Sequence, residues 1–168
     1  IKEISKNKEL GANIFLKKNI PIGAGLAGGS SNAAATLLGL NKLWNLDLDY
    51  ETILLLSTKL GSDVPFFVDG GCQFCFGRGE ILEKYNSNFE YGVILLKNPN
   101  ISISTVDTYK KYSQEFCPKY FTETEKTNNI RNDLRINGFN ASKLPEQRIK
   151  VKNDLQVIVE KENDSVKK

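Results

Sequence analysis

The sequence predicts an α+β protein, and three observations carry that reading. A small-residue stretch at 33–40 and an apolar periodicity at 53–60 both have helical spacing. Alternating residues on either side of Gly77-Arg78-Gly79 have the form of a β-hairpin. Two further apolar runs, 12–19 and 92–97, have strand character.

The elements follow in order. Residues 12–19, Ala-Asn-Ile-Phe-Leu-Lys-Lys-Asn, predict a strand, partly exposed because it carries Lys17 and Lys18. A glycine-rich segment from Ile20 to Ser31 is too dense in Gly23, Gly25, Gly28 and Gly29 to be regular structure. Ser30, Ser31 and Asn32 are good capping residues, so a helix is predicted from Ala33 to Leu40, continuing into Leu43-Trp44-Asn45-Leu46. A second helix is predicted to start after Asp49 and run to Leu60, with Ile53, Leu54, Leu56 and Leu60 as its apolar face. Gly61 to Phe67 ends that helix. Residues 71–77 and 79–84 predict the hairpin, and 92–97 a buried strand. Ser104-Thr105 to Tyr112 predicts a helix with a hydroxyl cap. Residues 113–150 carry no clear element. Asn153 to Glu162 predicts a last helix with nothing to pack on. No internal repeat is present, and Asn86-Ser87-Asn88 suggests a lobe boundary near 86–90.

Composition narrows the function. At 168 residues, 40% hydrophobic and 26% charged, the chain is ordinary for a globular protein and unlike collagen, a disulfide scaffold or a disordered chain. No uncharged apolar run reaches the ~18 residues of a membrane span. No charged segment followed by an apolar one marks a signal peptide. The net charge of +3 is too small to argue for nucleic acid. The absence of His removes the commonest general base and zinc ligand. Three Cys, an odd number, argue against a disulfide framework. Ile1 in place of Met, with no Met anywhere, reads as a trimmed chain or an internal fragment.

A loop of small residues feeding a helix start is an anion site. The first-turn amides have no intrahelical acceptor, and the helix dipole favours negative charge. Pro21, Ile22, Gly23, Ala24, Gly25, Leu26, Ala27, Gly28, Gly29, Ser30 and Ser31 are therefore the candidate phosphate-binding residues. Without a Lys between Lys18 and Lys42, a Walker A loop is excluded. Gly23-x-Gly25-x-x-Gly28 matches the dinucleotide fingerprint, with Asp47 or Asp49 as its acid. Lys17, Lys18 and Pro21 are poor residues for a central parallel strand, which disfavours that reading.

The segment Pro21 to Ala34 resembles the ATP loop of the GHMP kinase superfamily. Its additional Gly before the serine pair, and Leu60-Gly61-Ser62-Asp63-Val64-Pro65-Phe66-Phe67 at the matching spacing, resemble one branch. That branch phosphorylates the 2-hydroxyl of a cytidine diphosphate-linked methylerythritol in non-mevalonate isoprenoid synthesis. Ala27 stands where Gly is common in that branch. The resemblance runs from about residue 12 to 112, and again over Asn153-Asp154-Leu155.

The resemblance implies an amino-terminal ATP-binding lobe of the ribosomal protein S5 domain 2 type at 1–88, missing its first strands. It implies a truncated carboxy-terminal GHMP lobe at 89–168. The implied cofactors are ATP and Mg²⁺, the partner is a small-molecule substrate with neither nucleic acid nor membrane, and the compartment is the cytoplasm or a plastid stroma. On the residues alone, Asp63 is either a turn-capping or a catalytic carboxylate; the resemblance implies that it accepts the proton of the attacking hydroxyl. It also implies that Tyr109 stacks on cytosine and Thr105 lies beside the substrate. A helix cap at Thr105 and a half-buried Tyr109 are the plain alternatives. The partner Lys of the superfamily belongs to a Lys-Ile-Asn strand that the sequence lacks, and Lys2, Lys6 and Lys8 do not match it. With the late Gly-rich loop also missing, residues 1–168 are expected to be inactive alone. Other GHMP kinases of the homoserine or mevalonate type, a flavin or nicotinamide Rossmann protein and a non-catalytic nucleotide-binding module are the alternatives. Lys17 and Lys18 suit either a triphosphate or a solvated strand end. Cys72 and Cys75 fall on opposite faces of a strand and argue against metal or redox chemistry. Phe74 and Phe76, on the face of Cys72, are predicted core.

Overall fold

The computed structural model describes residues 1–85, 92–96, 98, 100–116 and 153–166. The chain divides into two compact units, Ile1–Asn88 and Phe89–Lys168.

The first unit is built on three helices, α1 (Gly28–Leu43), α2 (Tyr50–Leu60) and α3 (Phe66–Asp69), each packed on the other two. Small side chains on α1 allow close approach. Ala34 is fully buried, and with Leu37, Ile53 and Val64 it forms a small core, closed by buried Pro65 and Ser57. The Ser57 hydroxyl is satisfied by donating to the Leu54 carbonyl at 2.7 Å. Asp49 starts α2 as its sequence suggests: its carboxylate accepts the Thr52 amide at 2.8 Å. Hydrogen bonding from Thr52 holds that carboxyl below its ordinary range. The apolar face of α2 is less buried than its pattern predicts, with Leu60 exposed and Ser57 buried in its place.

After α3 the chain forms an antiparallel hairpin, β1 (Gln73–Phe76) and β2 (Ile81–Lys84), in the register Phe76↔Ile81 and Cys75↔Leu82. The predicted hairpin is present with shorter strands, its turn spanning 77–80. Phe74 and Phe76 are half-buried rather than core, and Phe74 packs on Tyr85 with ring centres 5.2 Å apart. One clasp ties three elements together. Asp69, ending α3, accepts the Tyr50 hydroxyl at 2.6 Å and pairs with Lys84 at 3.1 Å. The Tyr50 phenol is pushed up to about 12, chiefly by that hydrogen bond to Asp69.

Three expectations fail here, for physical reasons. Residues 12–19 are not a strand. A strand needs a hydrogen-bonded neighbour, and among the described residues only β1 and β2 pair. Ile14, Phe15 and Leu16 stay 62%, 95% and 59% exposed. This segment instead borders a groove of about 600 Å³ beside Ala33, Gly39 and Leu43 of α1. Residues 92–96 are likewise neither strand nor buried, with Ile94 and Leu96 largely exposed. Helix α1 begins at Gly28, not after Ser30-Ser31-Asn32, because the chain turns into the helix through Ala27 at φ 47°.

The second unit contains α4 (Thr105–Phe116), α5 (Gln156–Glu162) and a 3₁₀ turn at Asp164–Val166. The hydroxyl cap of α4 is Ser104, whose oxygen accepts the Asp107 amide at 3.3 Å. Helix α5 does have a partner: it packs on α4, buries Ile158, and pairs Glu162 with Lys111 and Lys161 with Glu115. Residue 97 and the stretch 117–150 lie outside the described residues. No described helix is long and apolar enough to cross a membrane.

Candidate functional site

The glycine-rich segment forms a succession of turns. Gly23 at φ 68° and Gly25 at φ 70° occupy the left-handed region, which a Cβ makes costly. Ala27 follows at φ 47°, unusual for a residue with a side chain. These turns deliver the backbone to the start of α1 without a side-chain cap. The first amide that the helix itself satisfies is that of Ser31, bonded to the Ala27 carbonyl at 3.0 Å. The amides of Gly28, Gly29 and Ser30 precede it, as the geometry of any helix start requires.

Ser31 is turned inward, its hydroxyl donating to the Gly28 carbonyl at 3.1 Å. The Ser30 hydroxyl makes no such bond among the described residues. Gly28 is needed for packing: a Cβ there would lie 3.0 Å from Cγ2 and 3.2 Å from Cβ of Ile20. Gly29 has open space where its side chain would be. Lys17, Lys18, Asn19 and Ile20 border a pocket of about 190 Å³ with Gly28 and Asn32 of α1. Both lysines therefore stand beside the helix start. Sequence reading left them undecided and passed over Asn32 as a pocket residue. The dinucleotide reading loses its strand, since the chain entering Gly23 is irregular.

Asp63 lies in the tight turn between α2 and α3. The turn is held by the Val64 amide bonding the Gly61 carbonyl at 3.2 Å, and by buried Val64 and Pro65. The Asp63 side chain itself is exposed. The hairpin approaches it from the other side. A Cβ on Gly79 would meet the Ser62 carbonyl at 3.3 Å and Asp63 Oδ1 at 3.7 Å. On β1, burial and the nearby Asp63 charge push the Cys75 thiol up. The loop 21–31 and Asp63 thus share the first unit. Thr105 and Tyr109 belong to the second, one turn apart on an exposed face of α4, with Tyr109 58% exposed. Thr105 is not the cap that the plain alternative made it, and Tyr109 is not half-buried.

Cys72 and Cys75 are free and exposed. Among the described residues no group of three His, Cys, Asp or Glu stands close enough to hold a metal ion.

The sequence is similar to known proteins. Residues 1–71 match the GHMP kinases N terminal domain. Over its whole length the chain is 88% identical to a 4-diphosphocytidyl-2-C-methyl-D-erythritol kinase of Prochlorococcus marinus subsp. pastoris strain MED4, covering 54% of it. It is 80% identical, over its whole length and 54% of the relative, to the protein of the same name from strain MIT 9515. To that from strain NATL2A it is 49% identical over 152 residues, 90% of this chain and 48% of the relative. The chain thus spans about half the length of the curated relatives it matches. No solved structure matches it.

Proposed function

We propose that this chain, whose first 71 residues match the GHMP kinases N terminal domain, is the ATP-holding part of an enzyme that phosphorylates 4-diphosphocytidyl-2-C-methyl-D-erythritol on its 2-hydroxyl. The observation that carries the kinase reading is the start of α1, free of any side-chain cap behind the turns at Gly23, Gly25 and Ala27. Such a terminus offers converging amides to phosphate oxygens, and glycines let those oxygens approach the backbone. The substrate is inferred from the printed names of relatives up to 88% identical.

In this reading, the amides of Gly28, Gly29 and Ser30 take the triphosphate oxygens, with Lys17 and Lys18 adding positive charge at the same helix end. The Ser30 hydroxyl and the phosphate oxygens would hold Mg²⁺. This donor set fits an ion that arrives with the nucleotide and keeps much of its water. Bound there, the ion would offset negative charge on the phosphates. Asp63 orients the substrate hydroxyl and accepts its proton as the oxygen bonds to the γ-phosphorus and ADP leaves. Thr105 and Tyr109 contact the diphosphocytidyl end, Tyr109 by stacking on the base. Residues 1–88 are the lobe of the ribosomal protein S5 domain 2 type, and 89–168 belong to the second GHMP lobe.

The test is a full-length polypeptide carrying these 168 residues. ADP release should depend on the diphosphocytidyl substrate and stop on chelation of the divalent ion. Turnover with homoserine or mevalonate instead would reassign the substrate. Tight FAD or NAD binding without ATP binding would overturn the kinase reading.

A further inference from the structure

We infer that the β1–β2 hairpin turn sets the position of Asp63, with Gly79 as the positioning residue. The inference rests on the assignment of Asp63 as proton acceptor. Asp63 is exposed and sits in a turn of only a few residues between two helices, so its own side chain is held by little. Anchored neighbours fix the backbone that carries it. Buried Val64 and Pro65 do so from one side. From the other, the hairpin turn lies so close to the Ser62 carbonyl that a side chain at position 79 would require a shift of a few tenths of an ångström. A Cβ on Gly79 would stand 3.3 Å from that oxygen, which belongs to the peptide joining Ser62 to Asp63, and 3.7 Å from the carboxylate. Relief requires that peptide to move, and Asp63 moves with it.

The turn is itself rigidly made. The Gly79 amide bonds the Phe76 carbonyl at 3.0 Å, and the Glu80 carboxylate accepts the Arg78 amide at 2.7 Å. Directly after it, Ile81 pairs with Phe76 across the strands. A turn with both ends fixed transmits a push rather than absorbing it.

Gly77 provides an internal control. It lies in the same turn and is also in the left-handed region, at φ 69°, as Gly79 is at φ 118°. A side chain on either glycine therefore strains the backbone. At Gly77, however, the new Cβ would meet Glu80 Oε1 and Ile81 Cδ1, within the hairpin and at the ends of side chains. Only Gly79 points its missing side chain at Asp63.

The experiment compares Gly79→Ala, Gly77→Ala and Asp63→Asn in the full-length polypeptide, measuring kcat, both KM values and thermal stability. A misplacement of about 1 Å can cost on the order of 10²-fold in rate. The shift here is a few tenths of that, so Gly79→Ala should lower kcat on the order of 10-fold while the KM for ATP stays unchanged. Gly77→Ala should lose comparable thermal stability and keep kcat within about 3-fold, since its strain stays in the hairpin. Equal loss of kcat in both variants would overturn the inference, because hairpin stability would then be the cause. So would full activity of Gly79→Ala beside an inactive Asp63→Asn, which would leave the assignment of Asp63 standing. Normal turnover of Asp63→Asn would remove that assignment and the inference with it.

Discussion

Adding one methyl group to Gly29 separates ligand binding from folding at the start of α1. Gly29 is helical, and its Cβ direction is empty to beyond 4 Å. Ala is a better helix former than Gly by about 0.5–1 kcal/mol. Gly29→Ala should therefore leave the fold as stable as before or slightly more so. If a phosphate oxygen occupies that space, the methyl displaces it and breaks a charge-assisted hydrogen bond worth about 1.5–3 kcal/mol. At about 1.4 kcal/mol per tenfold, nucleotide affinity should fall roughly 10- to 150-fold. Gly28→Ala should behave differently. Its Cβ would press on Ile20 at 3.0 Å, an overpacking cost of about 1–3 kcal/mol, so stability and affinity should fall together. Adding Ile20→Ala should restore part of the stability, a coupling that a double-mutant cycle reads directly. The assay is calorimetric titration of the full-length polypeptide with ATP, paired with thermal melts. Unchanged affinity in a stable Gly29→Ala protein would refute the phosphate loop.

Further outcomes are expected. Asp63→Asn keeps the shape of the turn and removes the proposed proton acceptor, so kcat should drop about 10²–10⁴-fold with ATP affinity retained, as stopped-time ADP assays would show. Tyr109→Ala should raise the KM for the diphosphocytidyl substrate by the ~1–3 kcal/mol of one stacked base, whereas Tyr109→Phe should leave it nearly intact. Leu37→Ala, in the small core of the first unit, should cost about 2–5 kcal/mol in urea unfolding. Asp69 is held below its ordinary value, chiefly by the Tyr50 hydroxyl and also by Lys84. Its contribution should be present above about pH 4 and fade as acid protonates the folded form, so the Tm gap to Asp69→Asn should close at low pH. The same clasp should weaken at the other extreme, as pH rises from about 10 towards the value of about 12 held by Tyr50.

What could be read in advance was what is local. Asp49 announces its helix because its carboxylate caps an amide three residues on. The hairpin announces itself because Gly77 and Gly79 sit between two alternating runs. Pairing between distant segments was not legible. Residues 12–19 and 92–96 have strand composition but acquire no strand neighbour among the described residues. The ion pairs that give α5 its partner join residues 46 and 51 positions apart. In the candidate site, the glycine loop and the turn at Asp63 were visible as motifs. The helix start was misplaced because Ser30 and Ser31 look like caps, while the turn into the helix occurs at Ala27, whose conformation its identity does not suggest. That Ile20 rests on Gly28, and that Gly79 reaches Asp63, needed the fold.

The helices that carry the loop and Asp63 also bear on the order in which the chain folds. All three mutual packings of α1, α2 and α3 join residues between 28 and 69. Contacts so close in sequence close small loops, and proteins dominated by them fold on the microsecond-to-millisecond scale. The scaffold of both motifs can therefore assemble as soon as about 70 residues of this chain have emerged from the ribosome, which elongates at ~5–20 residues per second. Synthesis is slow beside that collapse, so the start of α1 is in place before the second unit exists.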